Sequence, residues 1–96
     1  MAEKATSILK SLMFRVEGWA GHCVWCGCTI VAVGLVPEGL LVEIRRDHKA
    51  VLRIRGYTHV VNVASADHYI ERSQGGRSIP GNILPSCRRC NTRRSR

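Results

Sequence analysis

The stretch Cys87-Arg88-Arg89-Cys90-Asn91 repeats the two-residue cysteine spacing of Cys23-Val24-Trp25-Cys26. Each turn can present two thiolates to one ion, and four thiolates form the closed tetrahedral site of a structural Zn²⁺. Such a site would join distant segments, and its binding free energy would act as folding free energy. The doubled spacing therefore favours zinc over disulfides or unrelated buried thiols. The predicted zinc ligands are Cys23, Cys26, Cys87 and Cys90.

A fifth cysteine, Cys28, fits this pattern less well because it stands only two positions after Cys26. It could replace Cys26 as a ligand or bind no metal. The two-residue spacing of a zinc knuckle favours the second reading, in which Cys28 is a spare buried thiol. Trp19 and Trp25 are expected to cover the knuckle.

The composition points to one small domain with a polyanionic partner. The chain has 96 residues, a formal net charge of +8 and a pI near 10.0, and 12 of its 15 basic residues are arginine. Arginine pairs with phosphate in a bidentate way, which favours nucleic acid over charge that only aids solubility. The apolar stretch 28–36 is too short to span a membrane, and no secretory signal is evident. A cytoplasmic location is expected, where paired cysteines more often bind metal than form disulfides.

Hydrophobic periodicity predicts an α+β fold for a single domain, residues 1–96. Apolar residues at helical spacing predict an N-terminal helix within residues 1–18. Residues 19–60 hold the first knuckle and a basic, antiparallel β meander, with alternating apolar and charged positions. Residues 61–94 follow as strand, turn-rich loop, short strand and helix, and Pro85-Ser86 supply the expected helix start. The predicted strands are 29–36, 40–45, 50–55 and 60–66.

Asp67, His68 and Asn91 form a second constellation. Asn91 is four residues after Cys87, so on a helix the two would share a face and the zinc would orient Asn91 towards Asp67 and His68. A carboxylate and an amide oxygen suit Mg²⁺ or Mn²⁺ with open positions for water and phosphate. His68 would then point at the attacking water and act as the general base.

These motifs together resemble the HNH endonuclease family. The resemblance rests on residues 23–27, Asp67-His68-Tyr69-Ile70, Gly75-Gly76, Asn82-Ile83-Leu84 and residues 87–91. It implies a ββα-metal (His-Me finger) motif clamped by structural zinc, with His68 as general base and Asp67 and Asn91 as ligands of the catalytic ion. It also implies that Asn82 steadies the loop. The last motif position, which is a histidine or an asparagine in the family, is Asn91 here, so this is an HNN variant.

The implied activity is metal-dependent hydrolysis of DNA phosphodiester bonds, by nicking or double-strand cleavage. The alternative is a non-catalytic, zinc-dependent DNA-binding or accessory module of a larger nucleic-acid assembly. Such a module has no use for Asp67, His68, Asn82 and Asn91 in this order, so catalysis is favoured. The resemblance further suggests a phage or mobile-element setting, with packaging proteins as partners. Two departures are a longer segment before Asp67 and the absence of the usual proline a few residues after Asp67-His68.

Arginines near these motifs are candidate phosphate contacts, although any one of them could simply face solvent. His48 lies in a predicted turn and is expected to be exposed. His59 could be a third metal ligand but is expected to pack beside its strand. The predicted DNA-binding residues are Arg72, Arg77, Arg88, Arg89, Arg93 and Arg94.

Overall fold

The structure, a computed structural model, describes residues 5–16 and 18–94. Within these ranges, two helices and six strands follow one another in an α+β arrangement, as predicted. Single turns of 3₁₀ helix at Val33–Leu35, Arg72–Gln74 and Pro80–Asn82 connect them. The elements are α1 (Ala5–Val16), β1 (Ala20–His22), β2 (Thr29–Val31), β3 (Leu41–Ile44), β4 (Lys49–Ile54), β5 (Tyr57–His68), β6 (Ile83–Cys87) and α2 (Arg88–Arg94).

Helix α1 forms from the predicted amphipathic stripe and buries Ile8, Leu9 and Met13. It ends at Val16. Gly18 follows in a turn, with a φ of +83° that suits glycine, and its amide donates to the Met13 carbonyl at 2.6 Å. The prediction extended this element over residues 1–18, of which 1–4 and 17 lie outside the described residues.

Strand β5 is the centre of the sheet. The strand order is β1-β2-β5-β4-β3, and β6 pairs with the far end of β5, from Ala64↔Cys87 to His68↔Ile83. The predicted antiparallel pairing of 40–45 with 50–55 is present as β3 and β4, but the third strand of this meander is β5 and not the segment 29–36. The β2–β5 pairing is parallel, which the sequence pattern did not indicate. The result is that one long strand carries the basic meander at its start and Asp67-His68 at its end.

Several predicted boundaries are wrong. The expected strand 29–36 stops at Val31, because the Leu35 amide turns back to the Ala32 carbonyl at 2.9 Å. Pro85 and Ser86 belong to β6 and do not start the helix, which begins at Arg88. Pro85 has no N–H to donate, and it is tolerated in β6 because its contact with the first knuckle is made by its carbonyl. This carbonyl accepts a hydrogen bond from the Val24 amide at 3.1 Å.

Two apolar clusters lie on either side of β2. Ile30 packs with α1, Ile83 and Cys87, whereas Val31 packs with Ala50 and Leu52. Helix α1 therefore covers the region where β6 pairs with β5, and this fixes the knuckle and the end of β5 relative to each other. Across the described ranges, neither helix has the length and apolar character needed to cross a membrane.

Candidate metal centre and active site

The cysteines gather where the β1–β2 turn meets the end of β6. The Sγ atoms of Cys23, Cys26, Cys28 and Cys87 all lie within 4.8 Å of one another, and the Cys26 and Cys87 Sγ atoms are 3.9 Å apart. A tetrahedral Zn²⁺ with bonds of about 2.3 Å to sulfur would place its ligands about 3.8 Å apart. The cluster therefore has dimensions that could hold a zinc ion.

Backbone amides prepare the cluster for thiolates. Burial alone would raise the pKa of Cys23, but amides of Cys26, Cys87 and Trp25 donate to its sulfur and lower the pKa to about 6. The backbone amide of Cys28 is the main cause that lowers the pKa of Cys26. Because both sulfurs are stabilised as anions, they suit a cation as their common partner.

Cys28 and Cys90 both lie beside Cys23, Cys26 and Cys87. Burial, followed by the neighbouring thiols of Cys26 and Cys87, raises the pKa of Cys28 to about 12. Burial, followed by the thiols of Cys87, Cys26 and Cys23, raises the pKa of Cys90 to about 12 as well. Cys28, which was expected to be a spare thiol, is one of the four clustered cysteines, whereas Cys90, a predicted ligand, lies beside the cluster and is not one of the four. The two residues therefore compete for the fourth position.

Asp67 is a buried carboxylate at the end of β5, 2% exposed. Its Oδ2 accepts a hydrogen bond from Trp25 Nε1 at 2.9 Å, and its Oδ1 pairs with Arg94 Nη1 at 2.5 Å. The Arg94 guanidinium also lies over the Trp25 ring, 4.0 Å from its centroid. A carboxylate has about four acceptor sites, so these two donors leave room for a cation.

His68 follows Asp67 and lies beside the loop between β5 and β6. Its Nε2 is 3.0 Å from the Ser78 hydroxyl, so this contact fixes the orientation of the ring. Asp67, His68 and Asn91 line the same open pocket, together with Glu71 and Arg72. The three residues that the sequence predicted to act together are therefore neighbours in space.

Asn91 lies on α2 with its amide nitrogen turned towards β5. Nδ2 donates to the Ser65 hydroxyl at 2.7 Å and to the Ala66 carbonyl at 3.1 Å. These bonds hold the amide nitrogen of Asn91 against the end of β5. Asp67 and Asn91 together supply the hard oxygen atoms that fit Mg²⁺ or Mn²⁺.

Asn82 is buried and joins the two ends of the loop. Its Oδ1 accepts from the Ile70 amide at 2.7 Å, and its Nδ2 donates to the carbonyls of Ile70 and Arg77, both at 3.0 Å. The loop is also tight at Gly76, where an added Cβ would lie 1.6 Å from the Ile70 carbonyl oxygen. The loop therefore requires a glycine at position 76, and the buried side-chain amide of Asn82 holds its two ends together.

Comparison of the chain with family models gives a match for the segment that carries the pocket. Residues 56–96 match the HNH endonuclease family. The resemblance seen in the sequence is thereby confirmed for this segment, and the matched family is one of nucleases. The matched segment contains both the pocket residues and Cys87 and Cys90, whereas the first knuckle precedes it. No curated protein and no solved structure gives a significant match to the chain.

The arginines predicted to contact DNA occupy two kinds of position in the HNH segment. Arg72 lines the pocket and Arg94 is engaged with Asp67, so both belong to the site itself. The other four have exposed side chains, two of them at the start of α2 and one in its last turn: Arg77, Arg88, Arg89 and Arg93.

His48 and His59 lie away from the pocket of Asp67, His68 and Asn91. His59 is exposed on β5 opposite Leu52, nine residues before His68, which is about 30 Å at the rise of a strand. It is therefore too far away to bind the same ion as Asp67. His48 is exposed in the turn between β3 and β4, as expected.

Trp25, Glu71 and Ser78 also belong to the site, and the sequence did not identify them as such. Trp25 was expected only to cover the knuckle, yet its indole reaches Asp67, which is 42 positions away in the chain. Trp19 instead packs against the cluster of Val31, Ala50 and Leu52. Glu71 and Ser78 lie in the turn-rich loop, where no spacing distinguishes a pocket residue from a solvated one.

Proposed function

We propose that this chain is a metal-dependent DNA endonuclease. One observation carries the proposal: Asp67, His68 and Asn91 line a single pocket inside the segment that matches the HNH family. A carboxylate, an imidazole and an amide oxygen at one place are the groups needed to hold a hard cation and to activate water.

His68 is the proposed general base. If the Ser78 hydroxyl accepts a hydrogen bond from Nε2–H, the other ring nitrogen, Nδ1, takes the proton from water as its oxygen attacks phosphorus. The bond from phosphorus to the leaving oxygen then breaks. A Mg²⁺ or Mn²⁺ ion held by Asp67 and Asn91 would stabilise the charge on the scissile phosphate and the leaving oxygen. Asn82 holds the loop that carries Ser78.

Zn²⁺ is the proposed occupant of the cysteine cluster, with Cys23, Cys26, Cys87 and Cys90 as ligands. The Cys90 amide donates to Cys87 Sγ at 3.5 Å, the N–H to sulfur contact of a two-residue knuckle, which favours Cys90 over Cys28. We expect Cys90→Ser to lose most of its zinc and Cys28→Ser to retain one ion per chain, measured by metal analysis after gel filtration. Zinc loss from Cys28→Ser alone would reverse this assignment.

DNA is the proposed substrate because seven of the 12 arginines of the chain fall in the matched segment 56–96, which also carries the pocket. Arg72 lines it, and the exposed arginines of the loop and of α2 lie in the same segment. Aromatic residues make up only 5% of the chain, too few for the stacking platform of a single-strand binder, so contacts to the duplex backbone are favoured.

Relaxation of supercoiled plasmid tests the proposal. Zinc-loaded wild type is expected to nick or linearise the plasmid with Mg²⁺ or Mn²⁺ and to be inactive in EDTA. His68→Ala should lose this activity, whereas His59→Ala, which removes an exposed histidine remote from the pocket, should retain it. DNA binding without cleavage in any metal would instead support the accessory DNA-binding module.

A further inference from the structure

The carboxylate of Asp67 is held from two sides by residues of different elements. Trp25 donates its indole N–H to Oδ2 at 2.9 Å, and Arg94 of α2 donates to Oδ1 at 2.5 Å. With Asp67 2% exposed, these donors set the orientation of the carboxylate within the site.

Trp25 occupies the middle of the first cysteine knuckle, between Cys23 and Cys26. The knuckle backbone is fixed by the Gly27 amide, which donates to the Cys23 carbonyl at 2.9 Å, and by the Val24 amide, which donates to the Pro85 carbonyl at 3.1 Å. The position of the indole N–H is therefore determined by the same turn that presents two thiolates to the cysteine cluster.

The two donors differ in what happens when a cation approaches Asp67. Arg94 carries a positive charge, so a divalent ion at the carboxylate repels it, and its side chain is 28% exposed and has space to move. The indole of Trp25 is neutral and can keep its hydrogen bond to Oδ2 while another lone pair binds the ion. Of the two, Trp25 is the donor that is compatible with a bound cation.

We propose that Trp25 is a positioning residue for the catalytic metal ligand Asp67, and that it couples the structural zinc site to the binding of the catalytic ion. This inference rests on the proposed function, because it takes Asp67 as a ligand. In metalloproteins generally, groups that hydrogen-bond to a metal ligand fix its orientation, and removing them weakens metal binding by about 10- to 100-fold.

Mn²⁺ binding to the zinc-loaded chain tests the proposal without reference to cleavage. Free Mn²⁺ is measured by electron paramagnetic resonance during titration of wild type, Trp25→Phe and Trp19→Phe. Phenylalanine keeps a ring beneath the Arg94 guanidinium but lacks the N–H donor. Trp25→Phe should bind Mn²⁺ at least about tenfold more weakly. Trp19→Phe, the same substitution in a different cluster, should stay within about twofold of wild type.

A second readout follows the hydrogen bond itself. In ¹⁵N-labelled, zinc-loaded protein, Mg²⁺ should shift the indole N–H resonance of Trp25 and leave that of Trp19 in place, with Trp19→Phe giving the assignment. The same shift is expected in His68→Ala, which keeps both Asp67 and Trp25. Equal Mn²⁺ affinity in wild type and Trp25→Phe, or an unmoved Trp25 resonance, would overturn the proposal even if wild type cleaves DNA. A shifted resonance without cleavage would support it and refute the nuclease assignment.

Discussion

Replacement of Asn82 by alanine should destabilise the protein by about 2–3 kcal/mol. The side chain is 6% exposed and makes three hydrogen bonds, to the Ile70 amide, the Ile70 carbonyl and the Arg77 carbonyl. Each such bond contributes about 0.5–1.5 kcal/mol, and backbone groups left without a partner in a partly buried loop increase the loss. For a small domain this is a large share of a total stability of about 5–15 kcal/mol.

Urea unfolding of the zinc-loaded protein measures this loss as a lower midpoint with unchanged slope. Hydrogen exchange adds a local readout, since the Ile70 amide should lose protection in Asn82→Ala. Gln74→Ala is the matched control, because Gln74 is exposed in the same loop and its loss should stay within about 0.5 kcal/mol. If Asn82→Ala also loses no more than about 0.5 kcal/mol and its Ile70 amide stays protected, Asn82 does not hold the two ends of the loop together.

Three further perturbations test other parts of the account. Gly76→Ala places a Cβ against the Ile70 carbonyl and should slow cleavage about 100-fold by displacing the loop. Gly81→Ala is the control, because the space around Gly81 is open and its cleavage rate should not change. Equal single-turnover rates for the two variants would contradict this. Removing zinc with a chelator should abolish the cooperative thermal transition seen by circular dichroism, and an unchanged transition would argue against a structural ion. The double variant Arg88→Ala/Arg89→Ala, at the exposed start of α2, should reduce the slope of log affinity for duplex DNA against log salt by about 1.8, while an unchanged slope would exclude these two arginines from the DNA contact.

Local patterns in the sequence predicted much of the fold. The helical stripe around Ile8, Leu9 and Met13 and the alternation in β4 are short-range signals, and both elements formed where expected. The sequence could not show that β2 pairs in parallel with β5, because strand pairing depends on contacts between distant residues. The helix start at Pro85-Ser86 was wrong for the same reason: pairing with β5 overrides the local preference for a helix start.

The residues of the candidate site also fall into those that the sequence could predict and those that it could not. Residues with distinctive chemistry and spacing, such as Asp67, His68 and Asn91, could be selected from the sequence, and the structure brings them to one pocket. Residues whose role depends on where their side chains reach could not. Trp25 looked like a cover for the knuckle because nothing in its local sequence indicates a hydrogen bond to a carboxylate 42 residues away. Cys28 likewise joins the cluster through the fold and in spite of its spacing.

The most direct test of the central claim is the single-turnover rate of plasmid nicking by zinc-loaded wild type and His68→Ala in Mg²⁺, with and without added imidazole. A general base contributes about 10²- to 10⁴-fold, so His68→Ala should be slower by that factor, and imidazole should restore part of the rate. Undiminished nicking by His68→Ala, or wild-type nicking that persists in EDTA, would contradict the account.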